Sequence, residues 1–314
     1  MALTTTGTMP GPVKAYYEKR WLMRTEYNLV FEQLGKPGRV PKGEGKTVVW
    51  NRMTNPSAKT STLTEGTDPT PSGLSATLIS ATMSEYGNFE QVTSALELTA
   101  IDTTIKEVMD VLAYEAALSI DTVISAALIS AGTLIIATAA YSNSAGFVPT
   151  RNSINSDDVV TVGDIRRAVR QLKRFAAKPH TKAKGRFVGV AHPDVIFDLQ
   201  GDTNWINAHV YTEKGIDAVY NGEAGELYGV RFMESQNAPV LLNSGSAGTE
   251  VYQTFIFGEE FFGVSKLRDL QTYVDSPSPR SALRMYSDIG WKAFFAVKVL
   301  NDSFGVRLES AASQ

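Results

Sequence analysis

The sequence predicts an α+β chain built from a projecting hairpin, one very long helix and a second region of alternating helices and strands. Residues 40–93 carry two strand-like runs, Lys46–Met53 and Leu78–Met83, on either side of a Pro-, Gly- and Thr-rich stretch. Alternate side chains of such runs face opposite sides of a ribbon. Behind them Ile101, Ile105, Val108, Leu112, Ala116, Ile120, Val123 and Ala127 step by threes and fours, the stripe of an amphipathic helix. From Thr161 onward, helical and strand-like runs alternate.

Taken in order, residues 1–12 read as a Thr/Gly/Pro-rich tail, and Val13–Leu34 as a helical pattern bearing Tyr16, Tyr17, Trp21, Leu22 and Phe31. So much aromatic surface must pack on a core or on an adjoining subunit. The hairpin follows. A two-stranded ribbon alone is marginal in water, and long excursions are uncommon inside compact domains. The arm is therefore expected to lie on another copy of the chain. Val48, Trp50, Leu78 and Ile79 are its expected contact residues, with Tyr17, Trp21 and Leu22 of the N-terminal segment. Thr99 and Asp102 form a T-x-x-D helix start, and Gly132 suits the residue after the end. About 30 residues between them make a rod of roughly 45 Å.

Residues 133–156 read as a connector and a soft domain boundary. Thr161-Val-Gly-Asp164 repeats the helix-start signature, with Ile165, Val169, Leu172 and Ala176 on one face and an end near Ala177. Arg186–Ala191 is strand-like, and Pro193 stands where the next helix would begin. Tyr228–Glu234, Val251–Phe257 and Leu270–Val274 read as strands, and Trp291–Leu300 with Asn301–Leu308 as a closing hairpin.

The composition excludes several classes. A chain of 314 residues with 43% hydrophobic and 20% charged residues folds and has length for two domains. A net charge of −3 argues against a surface wholly devoted to nucleic acid. With no cysteine there is no disulfide, thiolate metal site or cysteine nucleophile. The N-terminus has neither the basic nor the apolar region of a signal peptide, and Leu128–Ala140, the most apolar window in this reading, is too short to span a bilayer.

Motifs for chemistry fail one by one. Gly45-Lys-Thr47 resembles the end of a phosphate-binding loop, but Val40 stands where that loop needs glycine, and a strand follows instead of a helix. The three histidines, His180, His192 and His209, have no zinc spacing. Gly263-Val-Ser265 continues to Lys266, not to the glycine of a nucleophile elbow. No catalytic, cofactor or metal site is expected. Arg166, Arg167, Arg170 and Arg174 cluster on one predicted helix, either as a solvated face or in weak contact with DNA phosphates.

Four C-terminal stretches carry a resemblance: Val190–Leu199, Gly225–Ser235, Phe257–Gly263 and Gly290–Asp302. In this order, behind a hairpin and a long helix, they resemble the tailed-bacteriophage major capsid proteins of the Hong Kong 97-type fold. Within that class they are most similar to the N-four-like podovirus group. The resemblance implies an N-terminal arm (1–39), an extended hairpin loop (40–93) and a peripheral domain with a spine helix (94–159). An axial domain (160–263) and peripheral return strands (264–314) follow. It implies a structural, non-enzymatic protein without cofactor. Such a protein self-assembles as hexamers and pentamers into the icosahedral head around a double-stranded DNA genome. Implied partners are the chain itself, a portal protein, separate scaffolding or decoration proteins and non-specifically packaged DNA, with no membrane. The implied location is the virion capsid, assembled in the host bacterial cytoplasm. An encapsulin-like compartment shell is the nearest alternative. A soluble α/β enzyme or binding protein is the more distant one, and it requires a pocket with perturbed titratable groups.

Overall fold

The structure is a computed structural model that describes residues 30–41, 45–63, 65–66, 68–69, 71, 73–99, 104–137, 150–202, 205, 225–275, 278–280 and 282–313. The first third runs α1 (Phe31–Leu34), β1 (Lys36–Arg39), β2 (Thr47–Met53), β3 (Ala76–Thr82), β4 (Ser84–Thr93), α2 (Ser94–Thr99) and α3 (Thr104–Leu128). Then come β5 (Thr133–Ile136), α4 (Val162–Arg174), β6 (Phe187–Ala191), α5 (Pro193–Gly201), β7 (Glu226–Leu227), β8 (Val230–Glu234) and β9 (Val240–Leu241). The chain closes with β10 (Val251–Phe257), β11 (Phe262–Asp275), β12 (Tyr286–Val299) and β13 (Gly305–Ser310).

Strand β10 is buried along its whole length, which its sequence Val-Tyr-Gln-Thr-Phe-Ile-Phe permits. It sits inside a seven-stranded sheet ordered β5-β13-β10-β6-β8-β7, with β9 also pairing β10. One face packs under α4 and α5 through Ile165, Leu172, Val195 and Leu199. The other packs Val188, Phe255 and Phe257 with Ile124 and Leu128 of α3 and Phe31 of α1. The domain is thus three layers about one sheet.

A second sheet, β1-β11-β12-β4, is built on two strands of 14 residues each. Along β12, Ile289, Trp291, Ala293 and Phe295 are buried in one core with Leu112, Ala116 and Ile120 of α3. The alternation is that of a half-buried strand. The helix packs on both sheets within a single core because its buried positions, Leu112, Ala116, Ile120, Ile124 and Leu128, recur every four residues. Over Lys106–Leu128 this helix is long and apolar enough to cross a bilayer by length and composition; here its buried stripe lies in the protein core.

Local rules explain the helix ends. The Thr161 backbone N–H donates to Asp164 Oδ2 at 3.1 Å and the Asp164 backbone N–H donates back to the Thr161 side chain, completing a capping box. The helix stops at Arg174, earlier than the sequence suggested, because Ala176 takes a left-handed φ of 53°. His192 caps α5, its Nδ1 accepting from Asp194 N at 3.3 Å, with Pro193 in the first turn. Thr99 does not open the long helix: it ends α2, whose start is held by Thr93 Oγ1 accepting from Leu96 N at 3.3 Å. Asp102 lies outside the described residues.

One expected hairpin is absent. Trp291–Leu300 and Asn301–Leu308 do not pair with each other. β12 pairs with β11 and β4, while β13 pairs with β10 and β5 in the other sheet. The turn at Asn301–Phe304 passes the chain between sheets.

Two buried carboxylates tie the layers together. Asp121, on the inner side of α3, accepts from Phe31 N at 2.8 Å and from Asn237 Nδ2 at 2.9 Å. Burial pushes its carboxyl above the usual range. Glu309, on β13, accepts from Arg151 Nε and Nη2 at 2.9 and 2.7 Å and from Gln253 Nε2 at 2.8 Å. Its neighbour Arg307 lies 3.1 Å from the same carboxylate. Arg307 also donates through Nη1 to Ile129 O at 2.6 Å, just past the end of α3. Burial opposes the charge of Glu309, but the hydrogen bonds from Arg151 and Gln253 and the two guanidinium groups win, holding its carboxyl below the usual range.

Candidate functional site

The feature that stands outside both cores is the ribbon β2–β3, antiparallel from Thr47↔Thr82 to Met53↔Ala76 and forming a sheet by itself. Alternation sorts its side chains. Val48 is 3% exposed and packs with Ala81, Met83 and Ala296. Trp50 lies against two glycines: a Cβ on Gly38 or Gly263 would come within 2.8 Å of its ring. Its indole Nε1 is buried without a partner among the described residues.

These two placements correct the expectation for the arm's root. Val48 is shielded within its own chain, because the base of the ribbon folds back onto β12 where Ala296 receives it. Trp50 is half-buried for the same reason, against β1 and β11. Ile79, opposite Trp50, is also half-buried, whereas Leu78 is 69% exposed. Tyr17, Trp21 and Leu22 lie outside the described residues.

Beyond the root no described residue covers the arm. Every described residue from 51 to 78 is exposed, including Met53, Leu63, Leu74 and Leu78. Leu63 and Leu74 were not singled out from the sequence. Their signal was there: isolated large apolar residues in a run of Ser, Thr, Pro and Gly that has no core to fill. A second apolar exposure lies where Ser94 N donates to Met285 O at 2.8 Å. Leu96 and Leu98 of α2 and Leu283 and Met285 before β12 are exposed there.

A paired substitution separates the root from the tip. Val48→Ser should destabilise the isolated chain by about 1–3 kcal/mol, since it places a hydroxyl in an apolar contact. Leu78→Ser should change that stability by no more than about 0.5 kcal/mol. Urea denaturation of the two variants checks the contrast.

The basic helix is α4. Arg167 Nη1 pairs with Asp164 Oδ1 at 3.0 Å, and the Arg166 guanidinium lies 5.5 Å from the centre of the Tyr228 ring. Arg170 and Arg174 are exposed. Among the described residues no group of three or more His, Asp or Glu is placed to hold a metal ion.

No protein-family model matches this chain, and no curated protein matches it by sequence. Solved structures match along nearly its full length. The capsid of the cyanophage P-SCSP1u aligns at a TM-score of 0.74 with 16% identity, over 99% of this chain and 96% of that one. The capsid of Ralstonia phage GP4 aligns at 0.73 with 12% identity, over 100% and 99%. A chain from Mycobacterium phage Che8 aligns at 0.65 with 15% identity, over 96% and 98%. At these identities the likeness is one of fold, and the shared fold is the Hong Kong 97-type capsid fold.

Proposed function

We propose that the chain is the major capsid protein of a tailed double-stranded DNA bacteriophage, a structural subunit that assembles as hexamers and pentamers into an icosahedral head. One observation carries the reading: a chain with the capsid fold extends a ribbon whose described residues from 51 to 78 are all exposed. Such a ribbon is unstable alone in water and is completed by a surface on another subunit. In this reading Met53, Leu63, Leu74 and Leu78 lie on the neighbouring copy, while Val48 and Trp50 set the angle at which the arm leaves. Ile79 sits at the boundary, and Tyr17, Trp21 and Leu22 join the intersubunit contact.

The long sheet with α3 corresponds to the peripheral domain and the seven-stranded sheet to the axial domain. β5 and β13 are strands of the latter, so the axial domain draws on both flanks of the 160–263 segment. Many weak, repeated contacts of this kind give cooperative closure. A portal protein, separate scaffolding or decoration proteins and non-specifically packaged DNA complete the partner set, and the subunit acts without catalysis. The C-terminal stretches quoted above support placement in the N-four-like podovirus group, with assembly in the host cytoplasm.

Analytical ultracentrifugation tests the reading. Purified full-length chain should sediment as rings and larger closed particles whose proportion rises steeply with concentration. A monomer that persists at every concentration and ionic strength, with or without a scaffolding protein, contradicts it.

A further inference from the structure

The three-layer domain carries opposite charges at its two ends. α4 runs alongside β10 in the same direction. Its start is tied to the Val251 end of the sheet, where Val159 bridges Ala311 and Ala311 N donates to Asp158 O at 3.0 Å. Its far end meets the Phe257 end, where Glu259 N donates to Lys178 O at 2.9 Å. A helix of 13 residues and a strand of 7 each span roughly 20 Å at their usual rises. The two ends are therefore about one helix length apart on a single packed body.

At the far end Arg170, Lys173 and Arg174 are exposed, and none has an acidic partner among the described residues. At the near end lies an open cleft of about 520 Å³, lined by Asp157, Glu250, Tyr252 and the chain's own Ala312–Ser313, with no lysine or arginine among its described lining residues. The Tyr252 phenol is pushed up to about 12 by burial and by the Asp194 and Glu250 carboxylates. A cationic helix end and an anionic cleft, neither with a described counter-charge, thus lie on opposite ends of one domain. This is the arrangement of a heterologous, head-to-tail contact, which closes into a ring when the rotation between copies allows it.

We infer that the cationic end of α4 on one copy docks into the Asp157–Glu250 cleft of the next, joining axial domains head to tail around each capsomer. The inference rests on the assembly reading given above. DNA phosphates are the competing occupant of the same arginines, but they leave the cleft without a cation, whereas a second copy satisfies both surfaces at one-to-one stoichiometry. Contacts of this type set register and association rate and weaken with salt.

The test is a charge swap in the full chain, read by light scattering and electron microscopy. Arg170→Glu with Arg174→Glu should raise the concentration needed for assembly by at least about tenfold. Asp157→Lys with Glu250→Lys should do the same. All four substitutions together should restore assembly, and circular dichroism should be unchanged throughout. Normal assembly by either reversed pair, or no recovery in the four-fold variant, overturns the inference while leaving the assembly reading intact. So does loss of salt-sensitive DNA retention in Arg170→Glu/Arg174→Glu with assembly unaltered, which gives the helix to nucleic acid. Failure of the unmodified chain to assemble overturns both.

Discussion

Replacing residues 54–74 by a short Gly-Ser turn should leave a folded chain that forms no closed shells. The replaced segment contributes nothing to either core: all its described residues are exposed, and the ladder below it ends at Met53↔Ala76 with Thr54 N donating to Ser75 O at 2.9 Å. Thermal unfolding should therefore move by no more than a few degrees, since surface changes away from packed features fall within about 0.5 kcal/mol. Assembly should respond quite differently. Leu63 and Leu74 are 75% and 76% exposed in the single chain. Apolar anchors repeated in every subunit dominate association, and truncating one at an interface often costs about 2 kcal/mol or more. Heads of normal size and yield from the truncated chain, seen by electron microscopy, would remove the arm from the mechanism.

The largest effect on the subunit itself is expected at Glu309. Glu309→Ala leaves the Arg307 guanidinium, with a side chain 9% exposed, facing no carboxylate, and frees Arg151 from both of its hydrogen bonds. Breaking a buried ion pair from one side costs about 3–5 kcal/mol. That is a large share of the stability of any domain. The native network also predicts a pH dependence. Because the folded carboxyl is held below its ordinary value of 4.5, the stabilisation is fully present above that value and is lost as the pH falls through the depressed one. The Asp121 carboxyl is shifted the other way, so its contribution is complete below its ordinary value of 3.8 and declines as the pH rises. Urea titrations of the unmodified chain and Glu309→Ala between pH 3 and 7 should show the gap between them closing toward acid. A gap independent of pH would assign the loss to packing alone.

How much of this was legible in the sequence follows from the range of the interactions. Thr161 and Asp164 sit three residues apart, and the capping box they form is the one their spacing announces. Pro193 behaves likewise. The long helix was visible from its period, but its edge of Asp121 and Ser125 was not, since a buried polar residue is explained only by its distant partners, Phe31 and Asn237 for Asp121. Val48 and Val49 look alike in sequence. Which one turns inward was decided by Ala296, far along the chain. The same limit produced the false hairpin at Asn301–Asp302: a turn signal states that the chain reverses, not that the two strands then pair. The basic helix was found correctly. Its division into Arg166 and Arg167, which have partners within the chain, and Arg170 and Arg174, which face outward, needed Tyr228 and the fold.

The central claim, a shell-forming subunit completed by its neighbours, is tested most directly by cryo-electron microscopy of the assembled, purified chain. The account predicts closed icosahedral particles in which residues 54–75 of each subunit lie on the surface of an adjacent one, with Leu63 and Leu74 buried at that contact. Particles in which those residues stay exposed to solvent, or a preparation containing only isolated monomers, would contradict it.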